Sequence, residues 1–265
     1  MQNLALNILE TKVDPASLAI FWISQAGFVF KTPSGKIIYV DPYLTDYVER
    51  SLPEYGLGFK RIMGKTIEAH EVEADLVLST HSHQDHFDAD AVPVLLNNPR
   101  IHFVGAPDCR ELYEQCGVPT DRYTILHEGE TLDYGDFTVT GVFADHGEQT
   151  PDALGILLDF GGIKVWQVGD TAYRPDKWQD LFQLGIDVLL PPINGAFGNL
   201  NGREAAMLAR DAGVKMAIPC HFWMFALHYG NPMEFLEACK ELAPDVQPYI
   251  MTQGERLIFT KQLIP

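Results

Sequence analysis

Asp75-Leu-Val-Leu-Ser-Thr80 runs directly into His81-Ser-His-Gln-Asp-His86. The first half reads as a short buried strand, an apolar run too short for an independent helix. The second half puts three imidazoles and one carboxylate within six residues. His81 and His83 are two apart, so on an extended segment both point to the same side and reach one metal ion. Asp85 and His86 follow where the chain should turn, and face a second ion on the other side. Imidazole suits zinc, manganese, iron and nickel, whereas carboxylate favours the harder ions. A catalytic ion keeps an open position for water. With two ions a bridging hydroxide becomes available near neutral pH. The bland alternative is a polar surface turn, which leaves so many ligand types together unexplained.

Further candidates recur downstream, each after an apolar strand. His146 lies in Ala144-Asp-His-Gly147 after Thr138–Phe143, Asp170 in Val168-Gly-Asp-Thr171, and His221 in Ile218-Pro-Cys-His221. Strand ends are where α/β scaffolds hold reactive groups with little motion. Taken singly, His146 or His221 reads as an ordinary polar residue; their ordered recurrence makes them ligand candidates. Asp170 is a natural bridge between two ions. Cys220 reads as a small buried residue beside a ligand. His70, His102 and His127 have no motif support.

In this order of motifs, His81-x-His83-x-Asp85-His86, then His146, Asp170 and His221, the chain resembles the metallo-β-lactamase superfamily. The resemblance covers almost the whole chain. It implies an αββα sandwich, two mixed β-sheets flanked by helices, with a dinuclear site at one edge. By that resemblance His81, His83 and His146 bind the first metal, Asp85, His86 and His221 the second, and Asp170 bridges them. Asp41, ending an early strand, matches an aspartate that supports the ligands from behind. The fold is shared by many chemistries, so it does not name the substrate. Asp170 stands where the commonest zinc β-lactamases have cysteine, and His83 where diiron redox members have glutamate. Residues 74–88, the Lys60–Lys65 region and Asn201–Arg210 leading to Ile218–Trp223 are similar to the ascorbate-6-phosphate lactonase group. That likeness implies a manganese- or zinc-dependent hydrolase of a sugar-acid lactone, in some members phosphorylated. Asp85 would be a ligand and would also orient the hydroxide or take its proton.

Working outward, 265 residues with 46% apolar content fit one domain over 1–265 with a sizeable core. Carboxylates outnumber Lys plus Arg by 36 to 19, a net charge of −17. Nucleic-acid binders need a basic face, so a nucleic-acid partner is not expected. No apolar stretch reaches the about 18 residues of a membrane span, and no signal peptide is recognisable. The four cysteines show no Cys-x-x-Cys spacing and fit reduced, buried thiols. The cytoplasm is therefore the expected location. Monomer and homo-oligomer both remain open.

Strands are expected at 18–23, 28–31, 36–40, 75–80, 123–126, 136–143, 154–160, 163–168, 186–190, 214–218, 247–250 and 256–259. Helices are expected at 88–97, from Pro107 to before Gly117, and at about 176–183, 202–212 and 232–241. Pro42–Glu73 has no clean period, and loops this long are often lids. Lys36-Ile-Ile-Tyr-Val-Asp41 echoes Lys164-Val-Trp-Gln-Val-Gly-Asp170, which hints at two similar halves. Lys60, Arg61 and Lys65 form local basic charge that suits a substrate phosphate or carboxylate, or a solvated face. Arg203 neutralises an anionic substrate or braces a helix start. His228 touches substrate or is a satisfied structural histidine. Phe222, Trp223 and Phe225 wall the pocket or fill the core.

Three functions follow. The first is a metal-dependent hydrolase of a small lactone or ester. The second is a phosphodiesterase on a small anionic substrate. The third is a metal or ligand sensor, which should have lost a ligand; all seven positions are present.

Overall fold

The computed structural model describes residues 3–261. Leu4–Glu10 (α1) precedes an antiparallel meander of Ser17–Ser24 (β1), Gly27–Lys31 (β2) and Ile37–Val40 (β3), in which every residue is buried. These strands are continuous apolar runs without alternation, the pattern of a sheet covered on both faces. Tyr47–Ser51 (α2) follows, then Leu76–Ser79 (β4), Val92–Leu95 (α3), His102–Gly105 (β5), Arg110–Gln115 (α4) and Tyr123–Ile125 (β6). The second half opens with Thr131–Asp133 (β7), Thr138–Phe143 (β8), Leu154–Phe160 (β9) and Ile163–Gln167 (β10). It continues through Gln179–Phe182 (α5), Val188–Leu190 (β11), Gly202–Asp211 (α6), Met216–Ala217 (β12), Pro232–Leu242 (α7) and Gln247–Pro248 (β13). Arg256–Thr260 (β14) returns to the first sheet, pairing antiparallel with β1.

The two seven-stranded sheets run β14-β1-β2-β3-β4-β5-β6 and β13-β12-β11-β10-β9-β8-β7. Each is antiparallel up to its central strand and parallel beyond it. Those central strands are β3 and β10, the two segments whose sequences echo each other. Asp41 and Asp170 therefore leave equivalent points, where the pairing changes sense. Side chains of both sheets share one core; Phe30 of β2 meets Phe160 of β9 with ring centroids 5.5 Å apart. This is the metallo-β-lactamase architecture, two mixed sheets flanked by helices.

Four elements lie outside the expected set: the short helices α1 and α2, the four-residue strand β5, and β7, whose residues are exposed or half-buried. None carries a long apolar period. The helix expected over 88–97 contracts to Val92–Leu95. Asp88 accepts Ala91 N–H at 3.2 Å, but also Leu44 N–H at 2.9 Å, Thr45 N–H at 2.7 Å and the Thr45 hydroxyl at 2.7 Å. A carboxylate expected to start a helix instead ties the following segment to the 42–46 loop. That long unperiodic segment holds α2 and a 3₁₀ run, Pro53–Phe59. It is anchored by Ile62 N–H to Met224 O at 2.8 Å and Leu227 N–H to Gly58 O at 3.1 Å. It shares a satellite core with Met224 and Phe225 through Tyr43, Val48 and Phe59.

Gly169 sets the exit of β10. Its φ is +72°, and a Cβ there would lie 2.5 Å from the Leu154 carbonyl oxygen. Gly169→Ala is expected to destabilise by at least about 1–3 kcal/mol, from left-handed strain and backbone collision. A urea unfolding curve with an unchanged midpoint would show that this turn tolerates a side chain.

Candidate metal centre

Asp41, the 81–86 run, His146, Asp170 and His221 follow β3, β4, β8, β10 and β12 respectively. Asp41 organises the first group. It is fully buried with φ +48°, and its own N–H donates to Leu78 O at 2.8 Å. Its carboxylate accepts Thr80 N–H at 2.8 Å, the Thr80 hydroxyl at 2.8 Å and His86 Nδ1 at 2.8 Å. A carboxylate can only accept, so a proton sits on Nδ1 and His86 Nε2 faces the site. The 81–86 segment is turn and bend throughout, closed by His86 N–H and Phe87 N–H on His83 O at 2.9 and 2.7 Å. His81 and His83 therefore converge because the chain turns, not by strand alternation.

Two sets of donor atoms result. His83 Nδ1 lies 3.0 Å from His81 Nε2 and 3.0 Å from His146 Nε2. In the other set, His221 Nε2 is 3.3 Å from His86 Nε2 and 3.2 Å from Asp85 Oδ2, and His86 Nε2 is 3.7 Å from that same oxygen. Asp170 stands between them. Its Oδ2 is 3.7 Å from His146 Nε2, and its Oδ1 is 3.4 Å from both His86 Nε2 and His221 Nε2.

Ligands about 2.0–2.1 Å from a tetrahedral ion are separated by about 3.3–3.4 Å, close to the spacings of the second set. Asp170 Oδ1 is buried and has no hydrogen-bond donor. A buried unpaired carboxylate oxygen is costly, and a cation between it and the ring nitrogens removes that cost. The residues present fit divalent ions.

The electrostatics suit ligation. Burial pushes His81 well below the usual imidazole range, helped by His86, and burial likewise lowers His146. Burial would raise Asp85, but His86 and the hydrogen bond and charge of His221 outweigh it and hold it well below the carboxylate range. Asp170 is lowered in the same way: burial opposes, while His221 and His86 prevail. Neutral imidazoles and ionised carboxylates are the forms that bind metals. His86 differs: burial would lower it, but Asp170, Asp41 and Asp85 outweigh burial and hold it well above the usual imidazole range, so binding an ion there displaces its Nε2 proton.

A cavity of about 520 Å³ opens above these groups. His83, Asp85, His146, Asp170, His221 and His228 form its chemical floor, and Val48, Leu52, Phe59 and Phe197 supply apolar wall. The 42–73 segment thus contributes directly to the cavity through α2 and the 3₁₀ run. His228 reaches the cavity, stacked on His221 with centroids 4.5 Å apart and lowered to about 3 by burial and His221.

The basic residues singled out from the sequence lie elsewhere, and the expectation that they meet substrate is corrected. Arg61 is tucked under the loop, donating to Thr45 O at 2.6 Å and Tyr43 O at 3.2 Å, with its guanidinium 4.1 Å from the Tyr43 ring centre. Lys65 pairs with Asp46 at 2.9 Å, Lys60 is exposed, and Arg203 pairs with Glu241 at 2.9 Å. None of the four lines the cavity. Charge spacing along the chain does not reveal that backbone carbonyls or surface acids already occupy these donors. Phe222 stacks on Trp22 at 4.9 Å, Phe225 fills the satellite core and Trp223 is exposed, so none of these aromatics lines the cavity either.

Three polar residues escaped the sequence reading. Gln25, fully buried with φ +50°, donates Nε2 to Asp85 Oδ2 at 2.7 Å and sits 3.1 Å from His221 Nε2 and 3.0 Å from His228 Nδ1. Asn199 donates to Asp170 Oδ2 at 2.6 Å, and Asn194 lines the cavity beside it. No periodicity marks them, because each reaches the site through a loop.

Asp41→Asn keeps the shape but places an amide where two donors and an imidazole N–H need an acceptor. Loss of such outer support typically weakens metal binding about 10–100-fold. Competitive chelator titration should show that loss; unchanged affinity would mean that Asp41 serves the fold alone. Gln25→Leu should weaken metal binding at the Asp85–His86–His221 set by about tenfold and spare binding at the His81–His83–His146 set. Equal loss of both would contradict its attachment to the Asp85 set.

Among known proteins, the sequence profile of the β-lactamase superfamily domain matches residues 19–221. A UPF0173 metal-dependent hydrolase of Rubrobacter xylanophilus is 31% identical, over 90% of this chain and 95% of that protein. The structure of a metallo hydrolase from the hyperthermophilic archaeon Ignicoccus hospitalis superposes with a TM-score of 0.71 at 19% identity, covering 92% of this chain and 98% of that one. A metallo-β-lactamase fold protein from Bacillus subtilis gives 0.67 at 17% identity, covering 92% and 100%. At such identities the structural likeness shows the fold, and the profile and the relative show the family: the chain belongs to the β-lactamase superfamily, among its UPF0173 metal-dependent hydrolases.

Proposed function

We propose that this hydrolase works with two divalent ions, zinc or manganese, and opens a small lactone or related ester. His81, His83 and His146 hold one ion, Asp85, His86 and His221 the other, and Asp170 reaches both. The observation that carries this reading is Asp170 itself: one oxygen faces each donor set, and Oδ1 has no other partner. Divalent ions in those places supply Lewis acidity and an activated water.

The chain's own residues do the rest. The ionised Asp85 carboxylate lines the cavity and takes the proton of the attacking water. Gln25 Nε2 holds Asp85 Oδ2 in place, and Asn199 does the same for Asp170 Oδ2. His228, kept uncharged, closes the site beside His221. The cavity's size suits a small molecule, and the net charge of −17 disfavours a nucleic-acid substrate. No lysine or arginine among the described residues lines the cavity to hold the charge of a phosphodiester, which favours the carboxylic ester. The complete ligand set speaks against a sensor.

The test is to strip the protein of metal, reload it separately with zinc and manganese, and assay lactones, esters and a chromogenic phosphodiester. Two ions per chain and metal-dependent lactone or ester turnover are expected. Asp85→Ala should lower that turnover by at least about 100-fold. Turnover of the phosphodiester alone, or a single ion per chain, would sink this reading.

A further inference from the structure

The cavity carries information about its substrate beyond the bond broken. No lysine or arginine lines it, whereas Glu54 and Glu148 do, both exposed at its rim. Every lysine and arginine of the sequence is among the described residues, so no basic side chain is overlooked. Recognition of a phosphate or carboxylate on the substrate normally uses such cations. Here an anionic substituent meets like charge instead.

Part of the cavity's wall is aromatic. Phe59 contacts Tyr55 with centroids 5.0 Å apart, Phe197 at 5.8 Å and the His228 ring at 5.7 Å. Phe197 and Tyr55 are 52% and 47% exposed although they line the cavity. Phe197 also holds a left-handed backbone, φ +55°, a conformation disfavoured for a bulky residue unless its surroundings enforce it. A half-exposed aromatic wall beside a reactive floor gains by being covered with an apolar group.

A second observation is polar. Asn194 and Asn199 are buried and line the cavity, and their Oδ1 atoms have no donor. The orientation of each amide is set by its other end: Asn199 Nδ2 donates to Asp170 Oδ2 at 2.6 Å, and Asn194 Nδ2 to Ala196 O at 3.3 Å. Two buried acceptors beside the reactive floor call for a ligand that donates, through a hydroxyl or an amide N–H.

We infer that the substrate is an uncharged ester or lactone carrying an aryl or alkyl group for the Phe59–Phe197 wall and a hydroxyl or amide N–H for Asn194 and Asn199. This rests on the ester-hydrolase reading and adds the substrate class to it. The reaction balances simply. The water oxygen bonds to the carbonyl carbon, the carbon–oxygen ester bond breaks, and a proton passes to the leaving oxygen. The product is a carboxylate, and Glu54 and Glu148 then repel what the enzyme has made. Neutral substrate and anionic product are thereby treated differently by the same rim.

The experiment compares γ-lactones bearing an amide-linked phenyl group with and without a carboxylate on the ring. The metal-loaded protein is assayed for hydrolysis. Binding of the matching non-hydrolysable lactams is measured by calorimetry. The neutral lactone should exceed the carboxylated one by at least about tenfold in kcat/KM, and the neutral lactam should bind tighter by a similar factor. Phe197→Ala should raise KM for the phenyl lactone by about tenfold with a smaller change for an unsubstituted lactone. Glu148→Lys should narrow the neutral-to-anionic ratio.

Equal or better use of the carboxylated lactone, or tighter binding of its lactam, would overturn the inference while leaving the hydrolase reading intact. Failure of both lactams to bind would overturn it as well. No hydrolysis of either lactone, with the neutral lactam still preferred, would refute the ester reading and keep the neutral class.

Discussion

Two buried aspartates, Asp41 and Asp170, and the half-buried Asp85 gather at the edge where the two sheets meet, and their charge has to be balanced there. Asp41 is satisfied within the protein, by Thr80 and His86. Asp85 has Gln25 and His221 beside it, and Asp170 has Asn199 on one oxygen and no donor on the other. Buried carboxylates persist only when paired or when they coordinate a cation. The surrounding loops can be read as answers to that demand. Five imidazoles of the proposed ligand set converge there, and amide side chains hold one oxygen each of Asp85 and Asp170.

The placement follows from sheet topology. In each sheet the pairing changes from antiparallel to parallel at the central strand, β3 or β10, and chain ends on the parallel side diverge into loops. Such switch points leave a crevice beyond the strand ends where ligands bind in open α/β sheets. Here two crevices face each other, so each sheet contributes part of one site. Gln25, Asp41, Phe197, His221 and Trp223 all take left-handed backbone conformations in the loops around it. Strain of about 1–3 kcal/mol per residue is tolerated where packing over-determines it, and it concentrates at working sites.

Much of this was legible from residue order. The 81–86 run names its own chemistry, since imidazoles and a carboxylate are crowded into six residues after an apolar strand. His146, Asp170 and His221 were legible by the same logic, one strand end at a time. The echo between 36–41 and 164–170 anticipated the paired central strands. The basic cluster misled because charge along a chain says nothing of what already holds it. Arg61 is spent on the Thr45 and Tyr43 carbonyls and Arg203 on Glu241.

The sequence by itself determined the donor types, their order and the apolar strands that carry them, because these depend on local chemistry and short-range period. Tertiary structure alone decided which donors share a point, and that Gln25, Asn194 and Asn199 stand among them. It also decided that the cavity has an aromatic wall and an acidic rim without cations. These features bring together residues as far apart as Gln25 and His228. Contacts over such separations leave no periodic trace, since they are fixed by how two sheets close on one another and not by the chain beside them.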